Sequence, residues 1–379
     1  MNFTLTQEQA HWQRSVREFA EKEIAPLAAE CDEEQRFPSE LLPKLADLRL
    51  TGVFVPEALG GAGGTNMDWV IAMEEIGRAD ASMGISLLGH CHAVRTILIA
   101  GTDEQKKKYL PSLSCEGKLA AFALTEPNAG SDVAAIETRA DKRDSGYVIN
   151  GSKAYISNAR AAEVYVVFAK TDRTMGRRGI SGFIVKKGAP GFGFGKIENK
   201  CGIRGSWTGE LVFEECGIPA ENLLGNENEA FRTIMAVFGL ERMGNSAIAV
   251  GTAQAALEAV VKYTKERKAF GRAIADNQGV QWMLADMAAA VESARLMVRK
   301  GANLADREEK EFAEHVAMAK IVANETAMSV CEQAMQLFGA AGYSKDFPVE
   351  RYFRDAKMFS IGGGTTQIMR NVVARWILK

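Results

Sequence analysis

The sequence predicts an α+β protein of several domains: an all-helical N-terminal domain, a β-barrel-like middle domain and a C-terminal four-helix bundle. Three observations support this order. Apolar residues recur at helical spacing before about residue 115, short β-prone runs separated by glycine fill the middle, and long helical repeats return near residue 226. We place the boundaries at 1–117, 118–225 and 226–379. A chain of 379 residues is long enough for more than one hydrophobic core.

Capping boxes indicate where helices of the first domain begin. Thr6 and Gln9 have the spacing in which a threonine and a residue three positions later cap each other, and a helical apolar face with Trp12 and Val16 follows. Thr102 and Gln105 repeat the pattern. These signals predict a domain built of helices.

The middle domain is predicted from the segment GYVINGSKAYIS, residues 146–157, and from three further β-prone runs. Asn150-Gly151 lies between two β-prone halves of that segment, and Asn-Gly is the strongest short hairpin signal. We therefore predict a hairpin turn at this dipeptide. The same segment fails as a phosphate-binding loop because its serine and lysine are in the wrong order.

The bundle is predicted from apolar residues spaced three and four apart. The clearest run is Leu284, Met287, Val291, Ala294 and Val298.

Composition excludes several classes of protein. Lys and Arg total 46 against 48 Asp and Glu, a formal net charge of −2, so no overall field favours nucleic acid or an anionic membrane. The six cysteines show no C-x-x-C spacing, which argues against a zinc site and a disulfide framework. With no signal peptide or membrane-spanning run apparent in the sequence, we expect a cytoplasmic protein.

Two segments invite a functional reading. His90, Cys91 and His92 could suggest a metal, but neighbours on a helix point in different directions, so we interpret them as partly buried residues near a pocket wall and predict no metal site. The turn in FALTEPNAGSDVAA, residues 122–135, is rich in hydroxyl side chains and backbone donors, which suit a flat polar ring or a phosphate.

Several long motifs together resemble the flavin-dependent acyl-CoA dehydrogenase family, in order and over the whole chain. They are FALTEPNAGSD (122–132), INGSKAYISNA (149–159), ERKAFGRAIADNQ (266–278), AMQLFGAAGYSKDFPVERYFRDAK (334–357) and GTTQI (364–368). The resemblance implies that family's three-domain fold, FAD as cofactor, an acyl-CoA substrate, and a homotetramer arranged as a dimer of dimers. It also implies electron-transfer flavoprotein as acceptor.

The resemblance also implies roles for individual residues. Contacts to the flavin ring fall to Phe122, Leu124, Thr125, Tyr155 and Ser157, with tyrosine at position 155 where the family usually has tryptophan. Contacts to a neighbouring subunit's FAD fall to Arg267, Phe270, Gln278, Gln336 and Gly339, and further cofactor contacts to Thr365 and Gln367. Substrate contacts fall to Ser131, Arg242 and Arg375.

Three consecutive glycines, Gly362 to Gly364, stand where most members of the family read aromatic-Glu-Gly-Thr, and that glutamate is the base that removes the α-proton. The usual carboxylate is therefore missing. Glu241 lies where isovaleryl-CoA dehydrogenase and some relatives carry their base, so we predict Glu241 as the base. We also predict that the backbone N–H of Gly363 binds the thioester oxygen. The alternative for Glu241 is a structural ion pair with Arg242 or another arginine of the bundle.

We therefore expect dehydrogenation of a short, branched-chain or alicyclic acyl-CoA to the 2,3-enoyl-CoA. The wider substrates are expected because two side chains are absent beside the thioester. Three alternatives stay open: enoyl-CoA reduction, redox-neutral elimination, and a catalytically silent flavin-binding subunit. Participation of Cys91 or His92 in proton transfer also stays open.

Overall fold

The structure, a computed structural model, describes residues 4–379. Its first part is helical, and an irregular π and 3₁₀ segment (Ala20–Leu27, with Pro26) joins the first two helices. The α-helices of this part are α1 (Gln7–Phe19), α2 (Ala28–Glu34), α3 (Leu41–Asp47), α4 (Asn66–Ala79), α5 (Ala81–Ala100) and α6 (Asp103–Cys115).

Both predicted capping boxes are confirmed. The Thr6 hydroxyl accepts from the Gln9 backbone N–H while the Gln9 side chain accepts from the Thr6 N–H, and Thr102 and Gln105 do the same at the start of α6. Each cap satisfies two N–H groups that the helix itself leaves unpaired.

The described residues include ten strands, eight of which form one sheet in the middle of the chain. The strands are β1 (Ala120–Ala123), β2 (Arg139–Arg143), β3 (Gly146–Ser157), β4 (Val164–Lys170), β5 (Ile180–Lys186), β6 (Phe192–Ile197), β7 (Thr208–Pro219), β8 (Leu223–Leu224), β9 (Lys268–Ala269) and β10 (Arg272–Ala273). The sheet order is β6-β7-β3-β2-β4-β5-β8, with β1 parallel to β4, while β9 and β10 pair separately. Every residue of β4 is buried because the sheet is covered on both faces.

The predicted hairpin turn at Asn150-Gly151 is wrong. β3 runs through this dipeptide with an irregular register against β7, and the β2–β3 turn falls at residues 144–145. Thr138 explains the glycine, since an added Cβ at Gly151 would come within 2.7 Å of its Oγ1. Asn150 instead exchanges two hydrogen bonds with Glu215 of β7. The Asn-Gly pair therefore lies inside a continuous strand, opposite an extra residue of β7.

The last part consists of long helices, and the predicted repeat is confirmed, with Met287, Val291, Ala294 and Val298 buried on one helix face. The helices are α7 (Ala230–Glu266), α8 (Gln278–Asp306), α9 (Phe312–Phe338), α10 (Val349–Phe359) and α11 (Thr366–Ile377). Short 3₁₀ segments elsewhere are Glu57–Leu59, Val133–Ala135, Gly176–Gly179, Ala220–Asn222, Ile274–Asp276 and Gly339–Tyr343.

α7 joins the two helical parts into one hydrophobic core. It packs against α9 on one side and against α4 and α5 on the other. Close approach to α4 depends on Gly251, where an added Cβ would lie 2.1 Å from the Glu74 carbonyl oxygen. α7 is thereby fixed where α5, α9 and the last loop of the chain converge.

α5 is long and apolar enough to cross a membrane by length and composition, but 72% of its apolar window is buried inside the protein. His90 also ties this helix to the sheet, since its Nε2 lies 2.9 Å from the Thr51 carbonyl oxygen and its Nδ1 accepts from the Ala120 N–H at 2.9 Å. These contacts are those of a core helix.

Candidate active site

The predicted base lies on α7, about three turns after the first residue of that helix, and is fully buried. Glu241 is 0% exposed, and its Oε1 accepts a hydrogen bond from Arg95 Nε of α5 at 2.5 Å. The ion pair that the sequence left open therefore exists, but its partner belongs to the first helical part of the chain rather than being Arg242 or a bundle arginine.

Arg95 is a site residue that the sequence reasoning missed. Its guanidinium stacks on the ring of Phe54, 3.6 Å from the ring centre, and lies 5.1 Å from that of Trp69. A signal was present, because Arg95 is the one charged residue in the twenty of α5. Arginine is almost never buried without a partner, so a lone arginine in an apolar helix predicts a buried carboxylate nearby.

The second carboxylate oxygen of Glu241 is free to act. Oε2 is buried and has no hydrogen-bond partner among residues 4–379, and His92 Nδ1 lies 3.9 Å from it. Burial raises the pKa of Glu241 to about 7, and the charge and hydrogen bond of Arg95 oppose that rise. A carboxylate with a pKa near neutrality and one open oxygen has the properties of a general base.

Neither histidine nor cysteine beside Glu241 titrates near neutral pH. His92 Nδ1 lies 2.7 Å from the Leu88 carbonyl oxygen, which makes Nδ1 the protonated nitrogen, and burial lowers the pKa of His92 to about 4. Burial raises the pKa of the Cys91 thiol well above its ordinary value. In the described part of the chain, no group of three or more His, Cys, Asp or Glu side chains is placed to hold a metal.

The glycine loop, residues 361–364, joins α10 to α11. It lies against the part of α7 that carries Glu241. An added Cβ at Gly363 would face Asn245 Nδ2 at 3.9 Å, and one at Gly364 would face Arg242 Nη2 at 3.6 Å. Asn245 is one helical turn beyond Glu241, so the loop and the carboxylate are close neighbours. Gly363 (φ +67°) and Gly364 (φ +99°) adopt backbone angles that favour glycine.

A buried lysine anchors the glycine loop, and the sequence reasoning did not identify it. Lys320 Nζ of α9 donates to Asn245 Oδ1 at 2.7 Å, to the Phe359 carbonyl at 2.9 Å and to the Gly362 carbonyl at 3.0 Å. Burial, and then the charge of Arg242, lower the pKa of Lys320 to about 7, while three acceptor oxygens around Nζ favour its ammonium form.

The space beside the glycines is only partly open. An added Cβ at Gly362 would lie 2.8 Å from Met358 Sδ, so that side is already filled. At Gly363 no heavy atom outside its chain neighbours comes closer than 3.9 Å to the added Cβ. The two missing side chains therefore leave one vacated position rather than two.

The three predicted substrate residues occupy different surroundings. Arg242 is largely buried, its Nε has no partner within the described chain, and burial lowers its pKa to about 10. Ser131 lies on an exposed turn after β1, and Arg375 lies on an exposed position in the last turn of α11. Of these three residues, Arg242 is the one that faces the glycine loop.

The predicted flavin-ring residues are brought together at the edge of the sheet. Phe122 lies in β1, which ends at Ala123, and Leu124 and Thr125 follow that strand. The Thr125 carbonyl accepts from the Ala154 N–H of β3 at 2.9 Å, next to Tyr155. Phe122 also contacts His92 (5.4 Å between ring centres) and Phe238 (5.8 Å). A path of side-chain contacts therefore connects this set to Glu241.

Tyr155 fits a role against a flat ring. Its side chain is 63% exposed although it lies within β3, and its φ of +56° is a strained angle for a residue with a side chain. Strained backbone and an unburied aromatic ring in a strand are both typical of a ligand contact. The residues present at this edge therefore suit an isoalloxazine ring.

A second predicted set lies at the far end of the bundle. Arg267 and Gln278 flank the β9–β10 hairpin whose tip carries Phe270, and Gln336 and Gly339 lie at the end of α9. The ring of Tyr263, near the end of α7, stacks on that of Phe338 at 3.9 Å, which brings these two ends together. Phe270 is fully exposed, so it is not packed against the sheet of its own chain.

The remaining predicted cofactor residues begin α11. The Thr365 hydroxyl accepts from the Ile368 N–H as the helix cap, and Gln367 is exposed in the first turn.

Comparison with known proteins extends over the whole chain. Three family models match in succession: "Acyl-CoA dehydrogenase, N-terminal domain" at residues 6–116, "middle domain" at 121–216 and "C-terminal domain" at 228–378. The chain is 45% identical to an acryloyl-CoA reductase (NADH) of Anaerotignum propionicum, over 100% of this chain and 96% of the relative. It is 44% identical to a short-chain specific acyl-CoA dehydrogenase of Clostridium acetobutylicum, over 100% of both.

Solved structures resemble the chain equally closely. The butyryl-CoA dehydrogenase of Megasphaera elsdenii superposes with a TM-score of 0.97 at 41% identity and full coverage of both chains. A chain from work described as "Electron transferring flavoprotein of Acidaminococcus fermentans: Towards a mechanism of flavin-based electron bifurcation" gives a TM-score of 0.97 at 44% identity, again with full coverage of both chains.

Proposed function

Because the chain belongs to the acyl-CoA dehydrogenase family, we propose that Glu241 removes the α-proton of a short, branched-chain or alicyclic acyl-CoA. The family makes the protein a flavin-dependent oxidoreductase that acts on a CH–CH bond, with FAD as its cofactor. When bound, FAD supplies the acceptor for the β-hydride.

One observation supports the role of Glu241 most strongly: a fully buried carboxylate has one oxygen held by Arg95 and the other unpaired. The α-proton passes to Oε2, which converts the carboxylate into a neutral acid. The electron pair of the broken C–H bond moves toward the thioester carbonyl, where the N–H of Gly363 stabilises the developing negative charge. The contacts of the glycine loop with Asn245 and Arg242 support this shared geometry.

The open position at Gly363 supports a substrate wider than a straight chain. A side chain is absent there and no protein atom replaces it, so a substituent on the α- or β-carbon gains room. Met358 fills the neighbouring space at Gly362, which limits the added width to one side. Branched-chain or alicyclic thioesters are therefore proposed ahead of butyryl-CoA, although two of the compared proteins are named for short straight-chain activity.

Binding roles follow from the same family assignment. Phe122, Leu124, Thr125, Tyr155 and Ser157 would hold the flavin ring of the chain's own FAD. The set at the end of the bundle would reach a partner subunit's FAD, and the exposure of Phe270 agrees with a homotetramer. Electron-transfer flavoprotein is proposed as the acceptor and the cytoplasm as the location. Enoyl-CoA reduction, the activity in the name of one relative, is not favoured.

The test is Glu241→Gln in the FAD-loaded enzyme. We expect kcat to fall about 10²-fold or more because a general base contributes about 10²–10⁴. The amide keeps the size of the side chain and an oxygen for Arg95, so FAD and acyl-CoA should still bind. Glu74→Gln is the matched control, since Glu74 is another buried carboxylate paired with an arginine, Arg295, at 2.7 Å.

The control should retain kcat within about twofold. If Glu241→Gln keeps a normal kcat, as the control does, another group takes the proton. That result would overturn the assignment.

A further inference from the structure

We propose that Arg95 is a positioning residue for the reaction: it holds Glu241 as a carboxylate with Oε2 directed to the substrate. The proposal rests on the function proposed for Glu241. It adds a residue that the family motifs in this sequence do not include, from a helix that carries no other charge.

The contact between the two side chains is one-sided. Arg95 binds Glu241 through Nε and Oε1 at 2.5 Å, whereas Arg95 Nη2 and Glu241 Oε2 are both buried without a hydrogen-bond partner in the described chain. A structural arginine–carboxylate pair is most stable when two parallel hydrogen bonds form. Leaving two polar atoms unsatisfied costs stability, so this geometry indicates that Oε2 is kept free for a reaction.

Packing prevents Arg95 from moving away. The rings of Phe54 and Trp69 lie against the guanidinium, and Trp69 is itself fully buried, with an added Cβ at Gly244 of α7 only 2.4 Å from its ring. Aromatic faces attract a guanidinium and replace part of its lost hydration. The cation is therefore fixed on the Oε1 side of Glu241.

Arg95 is also the group that sets the charge of Glu241. The titratable or charged side chains near the carboxylate are Arg95, His92 and Cys91 of α5 and Arg242 of α7 itself. His92 and Cys91 are neutral near pH 7, and Arg95 alone of the four donates a hydrogen bond to Glu241. A neighbouring arginine typically lowers the pKa of a carboxyl group by about 1–3.

The consequence is a defined pH dependence. Proton removal requires Glu241 ionised, so kcat/KM for dehydrogenation should rise with pH through about 7, the value to which burial raises its pKa. Without Arg95 the ionised form loses its one charged partner, and the rise should move to higher pH. At pH 6.5 a rise of that pKa from about 7 to about 8 lowers the ionised fraction about eightfold.

The experiment compares Arg95→Gln, Arg95→Lys and the control Arg17→Gln. Arg17 also pairs with a buried carboxylate, Glu75, at 2.8 Å, but on α1 and α4, away from the glycine loop. For each FAD-loaded variant, kcat/KM is measured from pH 5.5 to 9. Exchange of the α-hydrogens of 3-thiabutyryl-CoA with D₂O is followed by NMR, because this thioether has no β-hydrogen to lose.

We expect Arg95→Gln to shift both profiles upward by about one unit or more, Arg95→Lys to restore part of the shift, and Arg17→Gln to leave both unchanged. A uniform loss at every pH with unshifted profiles would overturn the proposal and leave Arg95 a structural residue. If Arg95→Gln does not fold, Arg95→Lys decides: an unshifted profile with normal exchange overturns the proposal, since the lysine cannot reproduce the Nε contact.

Failure here is distinguishable from failure of the proposed function. A normal kcat in Glu241→Gln would contradict the assignment of Glu241 as the base. Unshifted pH profiles in the Arg95 variants, together with an inactive Glu241→Gln, would contradict only the role of Arg95.

Discussion

Replacing Lys320 by methionine removes the ammonium that anchors the glycine loop while keeping most of the side-chain volume. Nζ donates to the Gly362 and Phe359 carbonyls and to Asn245 Oδ1. The Phe359 carbonyl keeps a second donor, Asn324 Nδ2 at 2.7 Å. Two acceptors, Gly362 O and Asn245 Oδ1, are therefore left without the donor they have now.

The size of the effect follows from those two acceptors. An unsatisfied buried polar atom costs about 1–3 kcal/mol, which gives roughly 2–6 kcal/mol for the pair. Removing a desolvated ammonium recovers part of this, because the burial that lowers the pKa of Lys320 to about 7 also destabilises its charge. We expect a net loss of about 2–4 kcal/mol in the free energy of unfolding.

The loop should also lose its position over Glu241. Gly363 directly follows one of the anchored carbonyls, so we expect kcat to fall about tenfold or more as its N–H moves from the thioester oxygen. Urea denaturation measures the first effect and steady-state kinetics the second. Asn324→Ala is the control: it removes a bond to Phe359 only, and should cost about 1 kcal/mol with kcat retained. Unchanged stability and unchanged kcat in Lys320→Met would refute the anchoring role.

Two further predictions concern the glycine loop. Gly363→Glu in a Glu241→Gly background should recover part of the activity lost in the single variant on butyryl-CoA, at a cost of about 1–2 kcal/mol, because position 363 has a φ of +67°; equal inactivity of the two variants, with FAD and substrate bound, would contradict a shared focus. Isovaleryl-, isobutyryl- or cyclohexanecarboxyl-CoA should exceed butyryl-CoA in kcat/KM by roughly tenfold or more with a ferrocenium acceptor. A straight-chain preference would show that Met358 or another side chain closes the space.

The fold class could be predicted from the sequence because its signals are local. Capping boxes and the repeat in α8 depend on residues within a few turns of one another, and the structure has both. The Asn150-Gly151 hairpin failed for the opposite reason. Position 151 is a glycine because Thr138, which directly precedes β2, comes close to it, and no local pattern in the sequence shows that approach.

The site also contains some features that local sequence motifs predict and others that depend on distant contacts. Motifs identified candidate residues such as Glu241 and Gly363, but the ion pair with Arg95 joins positions 146 residues apart and the contact of Lys320 with Gly362 joins positions 42 apart. The isolated charge of Arg95 in α5 was readable as a sign of a buried partner. Which carboxylate it meets depends on how α5 and α7 cross, and glycines such as Gly251, at which α7 approaches α4, help to set that crossing.

The contact of the glycine loop with one turn of α7 bears on how such enzymes diverge. A side chain at position 363 or 364 would face Asn245 or Arg242, so the glycine loop and α7 border the same small volume as Glu241. A carboxylate gained on the helix makes one on the loop redundant, and the loop is then released from selection for a side chain and can shorten to glycine. In the proposed assignment the base lies on the helix, and the loop, whose φ angles at Gly363 and Gly364 favour glycine, no longer carries it. Relatives of this kind are better compared by the residues that surround this volume, Lys320 included, than by the residue that performs the chemistry.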